Sequence, residues 1–203
     1  DVSLNSIYVN NAGVAVNDLS LRMMTQQSIV VDTFTVLHPD PAFQKFIAIS
    51  YETNPDNFSF TALNSKIEPV SADLYVSTTG YNSNSGLSRD EPLQTIAYAM
   101  AKIQADEEER KNIFVANGIY SHSLNNQAFP VQVHSNINII GESKENTVID
   151  MEYKAWAFSA YTADMGDTSG PGQRYKSNFS IRNFTIKNGG YDGDYLSYSL
   201  MPS

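Results

Sequence analysis

Ile113-Phe114-Val115, Ile137-Asn138-Ile139, Ala157-Phe158-Ser159 and Phe179-Ser180-Ile181 can be laid in one register. Their first residues stand 24, 20 and 22 positions apart, and the second and fourth share a lead-in, Ser135-Asn136 against Ser177-Asn178. One short strand recurring at a period of this size is the mark of a solenoid. A single coil cannot bury its inner face, so coils stack and their backbone hydrogen bonds run along the stack. Alternation within the strands predicts inward positions at Ile113, Val115, Ile137, Ile139, Phe158, Phe179, Ile181, Phe184 and Ile186.

Upstream of these repeats, Leu74-Tyr75-Val76-Ser77 reads as a strand followed by a polar turn over residues 78–86. The one convincing helix comes next. From Thr95, residues Ile96, Ala99, Met100 and Ile103 fall at i, i+3, i+4 and i+7, on one face. The run Asp106-Glu107-Glu108-Glu109 opposes the dipole at a helix C-terminus, so the helix ends near there and the run is a solvated loop. Glu68 to Ala72 reads as a connector.

Residues 1–70 alternate apolar and polar positions in short runs: Ser6 to Val9, Ser28 to Val31, Phe34 to Leu37, Phe46 to Tyr51 and Phe58 to Leu63. Turn signals separate them at Asn10 to Gly13, Pro39 to Pro41 and Asn54 to Asn57. This spacing suggests an antiparallel sandwich, with a partial or capping sheet as the alternative.

Composition agrees with a β-rich chain. The 203 residues carry 12 Tyr and 10 Phe, which suit strands, and only 17% charged residues. The net charge of −9 repels phosphate backbones, and Arg174 to Lys187, the densest basic stretch, is too sparse to overcome that. Nucleic acid is therefore not an expected partner, nor is an anionic membrane. No run approaches the ~20 apolar residues needed to cross a bilayer. The absence of cysteine suits many bacterial exported proteins. The chain opens at Asp1 without a signal-peptide pattern, which reads as a processed mature chain or a piece of a longer one.

Several motifs then stand in a specific order. They are Tyr75-Val76-Ser77, Gly80, Asn84-Ser85-Gly86, Pro92-Leu93-Gln94-Thr95-Ile96 and Ala99. Val115-Ala116-Asn117-Gly118-Ile119-Tyr120, Phe129-Pro130-Val131, Ile139-Ile140-Gly141-Glu142 and Ile181 to Gly189 follow. Together, over residues 73 to about 190, they resemble the opening module of bacterial pectin-lyase-like β-helix proteins, including the family of unknown function numbered 1565. With the runs of residues 1–70 read as a short sandwich-like or partial sheet region, an all-β chain is expected, and over residues 73–203 the resemblance implies a capped right-handed parallel β-helix, of which these are the first rungs. It also implies that residues 95 to 105 plug the open end of the solenoid and that Gly118 and Tyr120 turn the chain into the first rung. Asn82 stands where many relatives have Asp, which argues against a cation at that turn.

Candidate sites are few. Tyr153, Trp156, Tyr161 and Tyr175 cluster around residues 152–177, and aromatic faces of this kind stack on sugar rings or pack a loop onto the solenoid. Asp164 and Asp167, and Asp192 and Asp194, are closely spaced carboxylates beside glycines that could wrap calcium, although such pairs are also common in turns. Asp150 reads as the end of a strand. His38, His122 and His134 are scattered, with no metal-ligand spacing. The sequons at Asn57, Asn178 and Asn183 read as turn and ladder residues.

No complete catalytic constellation is visible. The expectation is a secreted or cell-surface bacterial module with a structural, adhesive or glycan-binding role, part of a larger protein. Its partners would be polysaccharide or another surface protein, with self-assembly through the solenoid ends a further expectation. The alternative is the N-terminal portion of a polysaccharide lyase or glycoside hydrolase acting on uronic-acid-containing polysaccharide, since this fold hosts both.

Overall fold

The computed structural model describes residues 6–7, 19–21, 27–36, 47–49, 58–104, 108–133, 136–159 and 178–190. The alternating runs near the N-terminus form β1 (Ser6–Ile7), β2 (Leu19–Leu21), β3 (Gln27–Val36), β4 (Ile47–Ile49) and β5 (Phe58–Ile67). All pair parallel: Ser6 with Thr33, Leu19 with Ile47, and Gln27 with Phe58. The antiparallel sandwich expected from the turn spacing is therefore corrected. Alternation states which face of a strand is apolar but not the direction of its neighbour. Partners 27, 28 and 31 residues apart cannot be joined by a hairpin, so the chain leaves each sheet and returns to it. Sheet order β1-β3-β5 beside β2-β4 shows that the chain visits two sheets in turn. Val31, Phe34, Val36, Ala62 and Ile67 form the apolar cluster here.

The next elements build a cap. The connector docks by a parallel bridge from Val70 to Ile103, and β6 (Leu74–Val76) follows. Helix α1 (Ile96–Lys102) buries Ile96, Ala99 and Met100, as its periodicity requires. Its other side carries Tyr98 and Ala101, which pack against the N-terminal cluster. Ile103 is already extended, so the helix stops before the acidic run. Side chains hold its N-terminus. Thr95 Oγ1 accepts from the Tyr98 amide at 3.1 Å, and the fully buried Gln127 accepts from the Ile96 amide at 2.8 Å. Asn82 Oδ1 accepts from the Gln94 and Thr95 amides at 3.0 and 3.3 Å, which gives Asn82 a structural duty at the turn. Gln127→Leu leaves the Ile96 amide unpaired in a dry core and is expected to cost about 1–3 kcal/mol, read by denaturant unfolding. Asn82→Asp keeps the acceptor, so its unfolding midpoint should stay close to that of the parent.

From there the chain coils. The first coil is β7 (Lys111–Val115), β8 (Gly118–Tyr120), the short helix α2 (His122–Asn125) and β9 (Val131–Gln132). The second is β10 (Ile137–Gly141), β11 (Thr147–Asp150) and β12 (Phe158–Ser159); the third supplies β13 (Ser180–Arg182) and β14 (Thr185–Lys187). Like strands stack in parallel into three faces, β6-β7-β10-β13, β8-β11-β14 and β9-β12. Between the first two coils the returns come after 26, 29 and 27 residues, at Ile113 to Ile139, Ile119 to Val148 and Val131 to Phe158. Parallel sheets stacked this way fit a β-helix.

Two details of the sequence register are corrected. Ile113 pairs with Ile139 rather than Ile137, a slip of two residues. Such a slip keeps every side chain on its face, so an apolar pattern cannot detect it. Ala157 to Ser159 belongs to another face, where Phe158 pairs with Val131. The predicted inward residues Ile113, Val115, Ile137 and Ile139 are buried, and Phe158, Phe179, Ile181 and Phe184 pack against the core. Ile186 stays 48% exposed although it continues the column Tyr120–Ile149–Ile186, because among the described residues no strand stacks beyond β14. Tyr120 is fully buried, its hydroxyl donates to the Ala116 carbonyl at 2.9 Å, and burial pushes its pKa up. A polar ladder runs beside the core: Ser180 Oγ donates to Asn138, Asn138 to Asn112, and Asn112 to Asp73.

Candidate functional site

The outward positions of the first face form a second column. Tyr75 pairs with Phe114, Phe114 with Ile140, and Ile140 with Arg182. Tyr75 and Phe114 stack with ring centroids 5.2 Å apart and planes at 26°. Parallel strands lie ~4.8 Å apart, so register itself brings the rings into contact. The segment from Ser77 to Leu93 rises beside this column as a wall. It is pinned by hydrogen bonds from the Ser77 amide to Leu93, the Tyr81 amide to Pro92 and the Gly86 amide to Glu91. Gly80 allows the fold-back, since a Cβ there would overlap the carbonyls of Pro92 and Leu93.

Wall and column enclose a cleft of about 720 Å³. Its floor is Tyr75, Phe114 and Ile140; Tyr81, 67% exposed, stands in its wall. Its charged groups are Arg89, Asp90 and Glu142. The Arg89 guanidinium lies 5.9 Å from the Tyr75 ring centroid and reaches Glu142 at 3.4 Å. The other oxygen of Glu142 accepts from the Asn117 amide at 3.0 Å. Asp90 is exposed and has no partner among the described residues. The arrangement offers hydrogen-bonding groups of both kinds around an apolar floor, the usual make-up of a site for a small polar ligand.

Of the aromatic residues singled out from sequence, Tyr153 and Trp156 are both exposed, at 62% and 51%. They sit on the turn after β11, where Glu152 and Tyr153 both have positive φ, 53° and 59°. Two such residues in succession are uncommon and carry strain. Hydrogen bonds offset it. The Tyr153 amide donates to Asn188 at 2.8 Å, the Glu152 amide to Asp150 at 3.0 Å, and the Ser123 amide and hydroxyl both donate to Glu152. The Ser123 hydroxyl holds the Glu152 pKa down from its ordinary 4.5 to about 2, with Lys154 assisting. Asp150, which ends β11, is also held low, first by the Asn188 amide group. A carboxylate lowered in the folded state stabilises above its unfolded value and loses that contribution as pH falls toward the folded one. The unfolding midpoint should therefore drop between about pH 5 and 2, and Glu152→Gln should flatten that slope, read by thermal unfolding across pH.

Tyr161 and Tyr175 lie outside the described residues, as do Asp164, Asp167, Asp192 and Asp194 and with them the expected calcium loops. His38 and His134 also lie outside, and His122 is exposed at the start of α2. Among the described residues no group of acidic or histidine side chains could hold a metal ion, and no helix is long and apolar enough to cross a membrane. The cleft was not singled out as a site from sequence. The available signal was an aromatic at the outward position of two strands, Tyr75 and Phe114, where a solvated face normally carries polar residues.

A family model described as protein of unknown function (DUF1565) matches residues 78–191. That span begins in the cleft wall and runs through all three coils. No curated protein and no solved structure matches the chain.

Proposed function

The chain belongs to the DUF1565 family, and on that premise we propose that it is a non-catalytic glycan-binding module built on a right-handed, pectin-lyase-like parallel β-helix. The cleft beside Tyr75, Phe114 and Ile140 carries the reading: it is concave, half apolar, and rimmed by Arg89, Asp90, Glu142 and Tyr81. Sugars present apolar faces and a fringe of hydroxyls, and such a lining matches both. The handedness follows from the steric preference that makes parallel crossovers right-handed in about 98% of cases. A glycan-binding module of this kind acts at the cell surface or after secretion, within a larger protein. Its polar partners are polysaccharides rather than nucleic acid, in keeping with the net charge of −9.

A glycan array combined with an absorbance assay for unsaturated uronate products, with and without calcium, tests this reading. Binding without product is expected. Product formation would replace the binding module with a polysaccharide lyase, and no binding to any glycan would leave only a structural role. Tyr81→Ala should weaken glycan binding roughly 3- to 10-fold, the worth of one ring contact. Because the ring is exposed, the unfolding midpoint should not move.

A further inference from the structure

Resting on the glycan-binding reading, we propose that the cleft selects an uncharged oligosaccharide and discriminates against uronic-acid chains. Three charged side chains line it, and two of them are carboxylates, Asp90 and Glu142. The third, Arg89, is already engaged twice, by Glu142 at 3.4 Å and by the Tyr75 ring at 5.9 Å. A uronate carboxylate would compete with Glu142 for the Arg89 guanidinium and would enter a cleft whose own charges are two carboxylates, Asp90 and Glu142, against one cation. A neutral ring asks for no such exchange. Its hydroxyls can donate to Asp90, whose carboxylate has no partner among the described residues, and accept from the guanidinium N–H groups that Glu142 does not use.

The charges just outside the cleft do not reverse this balance. Glu91 accepts from Ser85 Oγ at 2.8 Å, and Lys102 donates to the Asn84 carbonyl at 3.4 Å. Arg182 lies one strand beyond Ile140 in the outward column, so it is a cation at the end of the floor rather than over it. The floor crosses three parallel strands at ~4.8 Å spacing, about 10 Å in all, the length of a disaccharide. Asp90 and Glu142 line the cleft itself, whereas Arg182 is not among its lining residues.

Matched pairs of oligomers provide the test: cello-oligosaccharides against cellouronates, and β-1,4-mannan oligomers against mannuronates, titrated by calorimetry into the full chain. The neutral member should bind at least tenfold more tightly in each pair that binds. Its affinity should be unchanged across salt concentrations, because no ligand charge is being screened. Asp90→Asn should narrow the preference severalfold by admitting the uronate, with an unchanged unfolding midpoint as the folding control. Tighter binding of the uronates would overturn this inference and leave the glycan reading standing. If neither member of any pair binds and the glycan array is also blank, the glycan reading itself fails and this inference with it. Array binding confined to other charged glycans would likewise overturn the selectivity alone.

Discussion

Gly141→Ala is expected to destabilise the fold by about 3 kcal/mol or more, the range of overpacking against backbone that cannot step aside. Gly141 ends β10 in the inward column below Val115, where the neighbouring coil offers a side chain. On its other side the chain turns at Asn183, which has a φ of 62°, and the turn places its carbonyl where a Cβ of residue 141 would stand. Thr147 closes a further side, with its Cβ 3.1 Å from that position. Nothing flexible is available to yield. The substitution should lower the melting temperature by roughly 6–12 °C for a chain of this length. A parent-like melting curve would show that the third coil does not close onto β10 as described.

Ile139→Ala comes next in size, at about 3–4 kcal/mol. Ile139 is fully buried in the column Leu74–Ile113–Ile139–Ile181, with a strand stacked on each side of it. Backbone ladders fix the spacing of those strands, so the site cannot collapse onto the cavity, and the cost includes the void as well as the lost transfer energy. Ile186→Ala removes the same atoms from a residue 48% exposed at the last described strand and should cost under about 1 kcal/mol. The contrast, measured by denaturant unfolding, separates position in the stack from chemistry of the side chain. Equal effects would mean that Ile186 is covered.

Much of the architecture was legible because it rests on local periodicities. Ile96, Ala99 and Met100 share a helix face whatever lies beyond, and the burial of Ile113, Val115, Ile137 and Ile139 follows from alternation alone. The cleft was not legible in the same way. Tyr75 and Phe114 are 39 positions apart, and they meet only because β6 and β7 are neighbours in one register. Arg89 and Glu142 are 53 apart and meet because the wall folds back at Gly80. The turn bearing Tyr153 and Trp156 gave a compositional signal, but the pin from Ser123 to Glu152 that holds it could not be read from composition.

The amino-acid sequence by itself determined that this is a β-rich chain of short recurring strands, which faces of those strands are apolar, and where the amphipathic helix carrying Ile96, Ala99 and Met100 lies. Those properties depend on residues within a few positions of one another. Tertiary structure alone decided that the strands of residues 6–67 pair parallel, that Ile113 meets Ile139 rather than Ile137, and that Ala157 to Ser159 belongs to another face. A two-residue slip or a reversed neighbour leaves every apolar side chain facing the same way, so local pattern is blind to both. Only the pairing of strands that lie 26 to 29 residues apart along each sheet selects one arrangement, and the cleft exists only once that choice is made.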